Sequence, residues 1–249
     1  MTDDTNWTGK GRGGALFTTT HWSLVINAGE VGSEQAHKAI AQLCQIYWYP
    51  LYAYVRRQGY DIHQAQDLTQ EFFARLLAGK GFSGLDRQRG RFRAWLLASM
   101  EHFLAKEWRD AHRQKRGGGV SFLSLDAMEP EERYRLEPTD QLSADRIYER
   151  RWALTVLEIA LQRLRDEFAA ADKLELFETL RPTLTSIAQE GVYDRMAAQL
   201  NMTKATVTVA VSRLRKRYGE ILREQVAQTV AEADDVDEEL RHLRESLTK

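Results

Sequence analysis

Short polar side chains followed by a run of cations occupy residues 203–217, and this order suits the recognition of nucleic acid. Lys204, Thr206 and Thr208 fall at the start of a predicted helix, where they could contact the edges of bases. Arg213 and Arg215 lie further along the same helix, where they could neutralise phosphates. The chemistry that these residue types favour is therefore non-covalent binding of DNA.

Two helices joined by a tight turn would position those side chains. In the first, around residues 194–200, Ala197 leaves room for another helix to approach closely. Asn201 can adopt the left-handed backbone conformation of a turn, and Thr203 is placed to cap the second helix. Together with the basic end, this pattern predicts a helix-turn-helix; the alternative is an ordinary helical hairpin with a basic exposed end. We expect the inward face of the second helix to consist of Val207, Val211 and Leu214.

Aromatic and basic side chains are interleaved in residues 91–116, which predict one long amphipathic helix. Aromatic faces among cations bind single-stranded DNA, because bases stack on the rings while phosphates are neutralised. Trp95 and Phe103 also share the apolar register of Leu96 and Met100, so a purely structural role is the other interpretation of these two rings. The aromatic residues concerned are Phe92, Trp95, Phe103 and Trp108.

A third helix is predicted over residues 65–77, with an apolar stripe that includes Leu68, Phe72 and Leu76. Its other face carries an ordered acid, amide, acid and base at helical spacing. The simplest interpretation of that face is a solvated surface, and the alternative is an interface with a partner. The four residues are Asp67, Gln70, Glu71 and Arg75.

Charge is strongly segregated along the 249 residues, although the net charge is only −1. Residues 87–116 hold nine bases against three acids, and residues 203–223 hold six bases against one acid. Residues 126–149 and 224–249 each hold eight acids against three bases. Two basic blocks separated and followed by acidic ones fit a chain that binds a polyanion through two separate regions.

Few prolines and the lack of alternating apolar runs predict an all-α chain of two small helical domains joined by a flexible acidic linker, with the helix-turn-helix in the C-terminal domain. We expect a leader at 1–14, a first domain at 15–116, a linker at 117–143, a second domain at 144–223 and an acidic tail at 224–249, helical on leucines 240, 243 and 247. The apolar runs are too short to cross a membrane, which predicts a cytoplasmic protein.

Enzymatic and metal chemistry find little support in the sequence. The single cysteine, Cys44, excludes an intramolecular disulfide and has the spacing of a small core residue. The six histidines have no metal-ligand spacing, and the acids that a nuclease would need lie mostly in the linker and tail. We therefore expect no catalytic residues, no metal and no cofactor.

Several of these segments stand in the order found in bacterial RNA polymerase sigma factors of the extracytoplasmic-function (ECF) type, which the chain resembles over residues 15–223. The segments are YWYPLYAYVRRQGY (47–60), AQDLTQEFFARLL (65–77), the basic helix that begins GRFRAWLL (90–97), and the terminal helix-turn-helix. The resemblance implies a non-catalytic protein that binds core RNA polymerase and then recognises and melts promoter DNA. An anti-sigma factor or other regulator is a further candidate partner, and no residue here identifies one.

The resemblance also assigns roles to residues. The helix 65–77 would dock on the clamp helices of the polymerase's largest subunit through Asp67, Gln70, Glu71 and Arg75, with Phe72 or Leu76 partly at the interface. The minus-10 promoter element would be read and melted by Arg93, Ser99, His102, Lys106, Arg109 and Arg113. The minus-35 element would be read as duplex by Thr203, Lys204, Thr206, Thr208, Ser212, Arg213 and Arg215.

Three other hypotheses and one regulatory idea accompany this interpretation. The chain could be a helix-turn-helix regulator outside the holoenzyme, a DNA-processing enzyme, or a degenerate sigma factor that only titrates a partner. The acidic tail could fold back on the cations at 213–217 and compete with DNA, so that truncation near Gln225 would tighten promoter binding.

Overall fold

The structure, a computed structural model, describes residues 34–77, 91–113, 130–135, 142–185, 191–230 and 235–248. Every regular element within these ranges is a helix, which confirms the predicted all-α class. The predicted leader at 1–14, the glycine-rich stretch at 79–90 and the linker residues 117–129 and 136–141 lie outside the described residues. The helices are α1 (Glu34–Arg57), α2 (Ile62–Leu77), α3 (Phe92–Arg113), α4 (Pro130–Arg135), α5 (Ala144–Ala170), α6 (Leu174–Leu180) with a 3-10 turn (Arg181–Leu184), α7 (Val192–Gln199), α8 (Lys204–Ala227) and α9 (Asp235–Thr248).

A first hydrophobic cluster forms around α1, which packs against α2, α3 and α5. Tyr47 and Leu51 of α1 are fully buried, and the ring of Tyr47 meets that of Phe92 at 5.1 Å in an edge-to-face arrangement. Cys44 is buried in the same cluster, which confirms its prediction as a core residue. Burial raises the pKa of the Cys44 thiol to about 12, so it remains a neutral apolar side chain near neutral pH.

A second hydrophobic cluster forms where the C-terminal half of α5 meets α6, α7 and α8. The helix α5 belongs to both clusters, because Trp152 is buried in the first and Leu164 in the second. The helix α8 does the same, with Val211 in the second cluster and Val226 in the first. Two helices therefore connect the two clusters directly, in addition to the chain segment that was predicted to link them.

Part of the predicted linker forms the short helix α4, which docks on α1. Its Glu131 accepts two hydrogen bonds from the Arg56 guanidinium, each 3.0 Å, and one from the Tyr52 hydroxyl at 2.9 Å. The Arg56 guanidinium also lies 5.0 Å from the centre of the Tyr134 ring. The hydrogen bonds from Arg56, opposed by burial and assisted by Tyr52, hold the pKa of Glu131 below its usual value. This ion pair fixes one segment of linker composition against the first cluster.

The acidic tail forms the helix α9, as the spacing of its leucines predicts. Leu243 is buried, while Leu240 and Leu247 are partly buried against the first cluster. The helix packs against α5 and α8. The predicted tail boundary at 224 falls inside α8, which continues to Ala227. Within the part of the chain that the structure describes, none of the helices is long and apolar enough to cross a membrane.

Candidate nucleic-acid and polymerase interfaces

The helix-turn-helix has the local geometry that its sequence predicts. The Thr203 hydroxyl accepts a hydrogen bond from the backbone N–H of Thr206 at 3.2 Å and so caps the N-terminus of α8. Asn201 in the turn has a φ of 52°, the left-handed conformation that asparagine tolerates. Val207 and Val211 are buried. The structure thus has the predicted cap, turn and inward valines, a local geometry that a helix-turn-helix and an ordinary helical hairpin share.

The first turns of α8 present a polar surface with two apolar points. Lys204, Thr206 and Thr208 are exposed. Two large apolar side chains stand beside them, because Met202 is 40% exposed and Val209 is 50% exposed. Such side chains can contact the thymine methyl group in a major groove. The exposed surface at the start of α8 can therefore offer both hydrogen bonds and apolar contact to base edges.

The cations further along α8 divide into two groups. Arg215 donates two hydrogen bonds, 3.1 and 2.7 Å, to the carbonyl oxygen of Thr183, and Arg217 pairs with Glu167 at 2.7 Å. These two arginines hold α8 against the 3-10 turn and α5. Ser212 and Arg213 are exposed. Of the predicted minus-35 residues, Arg215 therefore already has a structural role within the chain, in its hydrogen bonds to Thr183.

The basic helix α3 turns its rings in two directions. Phe92 and Phe103 are buried in the first cluster, which confirms the structural interpretation of Phe103. Trp95 is partly buried against the same cluster. Trp108 is 60% exposed, so among these rings it is the one open to a stacked base.

Three of the six predicted minus-10 side chains are exposed on α3. His102, Lys106 and Arg109 are exposed, and Ser99 is half-buried. The Nδ1 atom of His102 lies 2.7 Å from the carbonyl oxygen of Ala98, and Arg109 donates to the carbonyl oxygen of Ala105 at 3.0 Å. Both contacts are local to the helix and leave the cationic surface in place. The side chain of Arg113 lies outside the described residues.

An open cleft of ≈ 570 Å³ adjoins Trp108, and the sequence did not single out its other walls. Tyr54 and Tyr60, at the junction of α1 and α2, line it opposite Leu104 and Trp108. The Tyr54 hydroxyl accepts a hydrogen bond from the Gln58 amide at 2.9 Å and donates to Glu101 at 3.3 Å. Aromatic walls with amide and hydroxyl groups suit an unstacked base. In the sequence, Tyr54 and Tyr60 were visible only as members of the segment 47–60, which was quoted for the resemblance and not for these two rings.

Arg93 differs from the other predicted minus-10 residues because it is only 4% exposed. Its Nε donates to the carboxylate of Glu239 at 2.8 Å, and its NH1 pairs with Glu149. The guanidinium also lies 4.9 Å from the centre of the Trp152 ring. In this arrangement Arg93 is enclosed by protein side chains, so a contact with DNA would require its ion pairs to open. Periodicity places Arg93 on the helix but gives no sign of acids more than fifty residues away.

The ordered face of α2 is partly exposed and internally paired. Asp67 and Glu71 are exposed. Arg75 pairs with Glu71 and, at 2.8 Å, with Glu107 of α3. Its guanidinium lies 4.9 Å from the centre of the Phe103 ring. This arrangement ties the α2 face to α3.

The two apolar members of the predicted docking set belong to the core. Phe72 is 5% exposed and Leu76 is 4% exposed, and both lie in the first cluster. The rings of Phe72 and Phe103 stand 5.6 Å apart. Phe72 and Leu76 therefore support the face from beneath, while the polar residues form its surface.

Comparison with known protein families identifies the part of the chain that carries these surfaces. Residues 47–114 match the family model of Sigma-70 region 2. The match spans the C-terminal part of α1, all of α2 and α3, and the stretch between them. These residues therefore carry a Sigma-70 region 2, the region through which sigma factors bind core RNA polymerase and recognise promoters. No curated protein and no solved structure matches the chain.

Proposed function

We propose that the chain is an ECF-type sigma factor that binds core RNA polymerase, directs it to a specific set of promoters in the cytoplasm and opens the DNA there. The observation that carries the proposal is the Sigma-70 region 2 match over residues 47–114. It coincides with both surfaces that the side chains single out, the polar face of α2 and the basic, tryptophan-bearing face of α3. A helix-turn-helix regulator outside the holoenzyme would account for α7 and α8 but not for this coincidence.

The polymerase contact is proposed to form on the face of α2. Asp67 and Glu71 supply exposed carboxylates there, and Gln70 lies between them in sequence. Since Arg75 is held by Glu71 and Glu107 and rests on Phe103, the face is pre-ordered before any partner arrives. A surface that needs little ordering loses little side-chain entropy on binding.

The DNA contacts are proposed to divide between α3 and α8. His102, Lys106 and Arg109 would follow the backbone of the melted strand while Trp108 stacks on a base. A stacked base contributes on the order of 1–3 kcal/mol, so capture of a few bases offsets much of the cost of opening the duplex. The start of α8 would read the upstream element as duplex DNA in its major groove.

Charge reversal tests the polymerase contact. Glu71→Lys places two cations at i and i+4, which costs the helix only about 0.2–0.5 kcal/mol, so the fold should persist. A fluorescent derivative titrated with core polymerase should bind at least about 10-fold more weakly, because like charges juxtaposed at an interface cost several kcal/mol. Asp166→Lys, an equal charge change at an exposed site on α5, is the matched control. Equal affinities of the two variants for core polymerase would refute docking through this face.

Removal of a ring or a cation tests the DNA contact on α3. Trp108→Ala should weaken binding of the holoenzyme to a forked, partly single-stranded DNA by about 1–3 kcal/mol, with less effect on fully paired DNA. Arg109→Ala should weaken both and reduce the salt dependence of binding. Arg146→Ala, at an exposed arginine on α5, is the control. If the fork binds equally to all three variants, α3 is not the melting surface.

A further inference from the structure

The tail helix α9 makes its polar contacts with cations at the start of α3 and near the end of α8. Glu239 pairs with Arg93, and its other carboxylate oxygen lies 3.0 Å from the Nε of Arg91. Glu238 also pairs with Arg91, and Asp237 pairs with Arg223. Of the predicted tail, Glu224 pairs with Arg217 at 3.5 Å, whereas the acids of α9 pair with cations other than those at 213–217. Its acids neutralise the beginning of the helix that carries the minus-10 surface.

The centre of this contact is a buried ion pair. Arg93 is 4% exposed and Glu239 is 1% exposed. One carboxylate oxygen of Glu149, on α5, pairs with the NH1 group of Arg93. The other oxygen lies 2.9 Å from the Nε2 atom of His242. A buried pair holds tightly while both partners are present, but removal of one leaves an uncompensated charge and strongly disfavours the closed arrangement.

The apolar part of the α9 contact is narrow. Val236 and Leu243 are its buried apolar side chains, and Leu240 and Leu247 are only partly buried beside them. Because a buried ion pair lies among these few apolar residues, the contact depends on electrostatic pairing more than a purely apolar core does. Phosphate groups form charge-assisted, bidentate bonds with arginine, as carboxylates do, so nucleic acid offers Arg91 and Arg93 an equivalent partner.

We propose that α9 is an internal competitor of DNA. Its docked form pairs Arg91 and Arg93 with its own carboxylates, and its displacement leaves Arg91 open to DNA phosphates and leaves Arg93 with Glu149 of α5, so that a phosphate can replace the lost carboxylate. The proposal rests on the proposed function, since it regulates the same DNA-binding surface. While α9 is docked it also joins the start of α3 to α8, through Arg91 and Arg223, so its release removes one tie between the minus-10 helix and the helix that carries the minus-35 residues. The chain then binds DNA less tightly than its own surface allows until α9 leaves.

The direct test measures binding of a fluorescent, mixed-sequence single-stranded DNA to the full chain at low salt. Glu239→Gln keeps the size of the side chain but removes the α9 carboxylate beside Arg93 and Arg91, leaving Glu149 of α5 as the acid paired with Arg93. Because the apparent dissociation constant equals the intrinsic one divided by the fraction of competent molecules, the variant should bind at least about 10-fold more tightly than the wild type. Glu245→Gln, the same change at an exposed site on α9, should stay within about 2-fold.

A double variant tests whether the tighter DNA binding of Glu239→Gln depends on Arg93. Arg93→Gln added to Glu239→Gln should remove most of the gain, because the released site then lacks that charge. Equal or weaker binding by Glu239→Gln, or a gain that survives the loss of Arg93, would overturn the proposal. If neither the wild type nor any variant binds DNA while the wild type still binds core polymerase, the DNA-binding part of the proposed function fails and takes the competitor with it.

Hydrogen exchange of the wild type provides a test that needs no variant. Amides of α9 should be protected in the free chain and should exchange at least about 10-fold faster once single-stranded DNA is bound, because the helix has left its site. Unchanged protection of α9 in the DNA complex would show that DNA binds without displacing it, and would overturn the proposal even if Glu239→Gln proves poorly folded.

Discussion

Replacement of Leu164 by alanine in the second cluster should destabilise the first cluster as well, because α5 and α8 are shared between them. Leu164 is fully buried, and a leucine-to-alanine change at such a site costs about 2–5 kcal/mol. For a chain of this size, 1 kcal/mol shifts the unfolding temperature by about 2–4 °C. The expected decrease is therefore about 4–20 °C.

The tryptophans make the test specific. The chain has six, and residues 153–249 contain none. Trp48, Trp95 and Trp152 lie in the first cluster or pack against it, so tryptophan fluorescence reports on that cluster. Far-UV circular dichroism reports on the helices of both clusters. Thermal unfolding followed by the two signals should give coincident transitions in the wild type and in Leu164→Ala, shifted together.

Independent domains would give a different result. The dichroism of Leu164→Ala would then fall in two steps, and the fluorescence midpoint would stay at its wild-type value. That outcome would refute the coupling through α5 and α8 and favour two helical domains that unfold separately. Val209→Ala is the control, because its side chain is 50% exposed and its loss should change stability by less than about 0.5 kcal/mol.

Three further predictions follow from local contacts. Thr203→Ala should lower the free energy of unfolding in urea by about 1 kcal/mol through loss of the α8 cap, and Thr203→Ser should restore it; no difference between the two would contradict the cap. Cys44 should react with a thiol reagent at least ~100-fold more slowly in the native chain than in urea, since the thiol is buried with its pKa raised to about 12; equal rates would contradict its burial. Because the folded pKa of Glu131 is lowered, its contribution to stability is complete above the unfolded pKa and is lost as the pH falls through the folded value. Glu131→Gln should thus be less stable than the wild type at neutral pH, with the difference shrinking below about pH 4 in urea titrations; a constant difference would contradict the assignment.

The helix-turn-helix could be predicted from the sequence because its determinants are local. The cap at Thr203 and the left-handed turn at Asn201 depend on residues within one or two turns of the chain. The inward positions of Val207 and Val211 follow from helical period alone. The all-α class and the exposed polar face of α2 could be predicted for the same reason, because both follow from helical periodicity.

Long-range pairing explains what the sequence could not provide. The burial of Arg93 depends on Glu149 and Glu239, which lie 56 and 146 residues away along the chain. Composition marked residues 117–143 as linker, yet α4 within them is held by Glu131 on Arg56, a pair 75 residues apart. Which charges meet is decided by how the helices pack, and that information is not contained in the period of any one helix.

The sequence also did not predict that the helix α5 packs in both hydrophobic clusters. Its apolar residues surround the helix rather than forming a single stripe, because its first half packs on α1 and its second half on α6 and α8. A helix apolar on several sides indicates burial but not its neighbours. The predicted domain boundaries remain a prediction, and the Leu164→Ala experiment bears on them directly.

Run-off transcription with purified core polymerase, on fragments of the chain's own genome, shows whether the chain is a sigma factor. We expect discrete transcripts that require the wild-type chain, are lost with Glu71→Lys and persist with the control Asp166→Lys. Binding of the chain to duplex DNA without any transcript would contradict this expectation and would leave a helix-turn-helix regulator outside the holoenzyme.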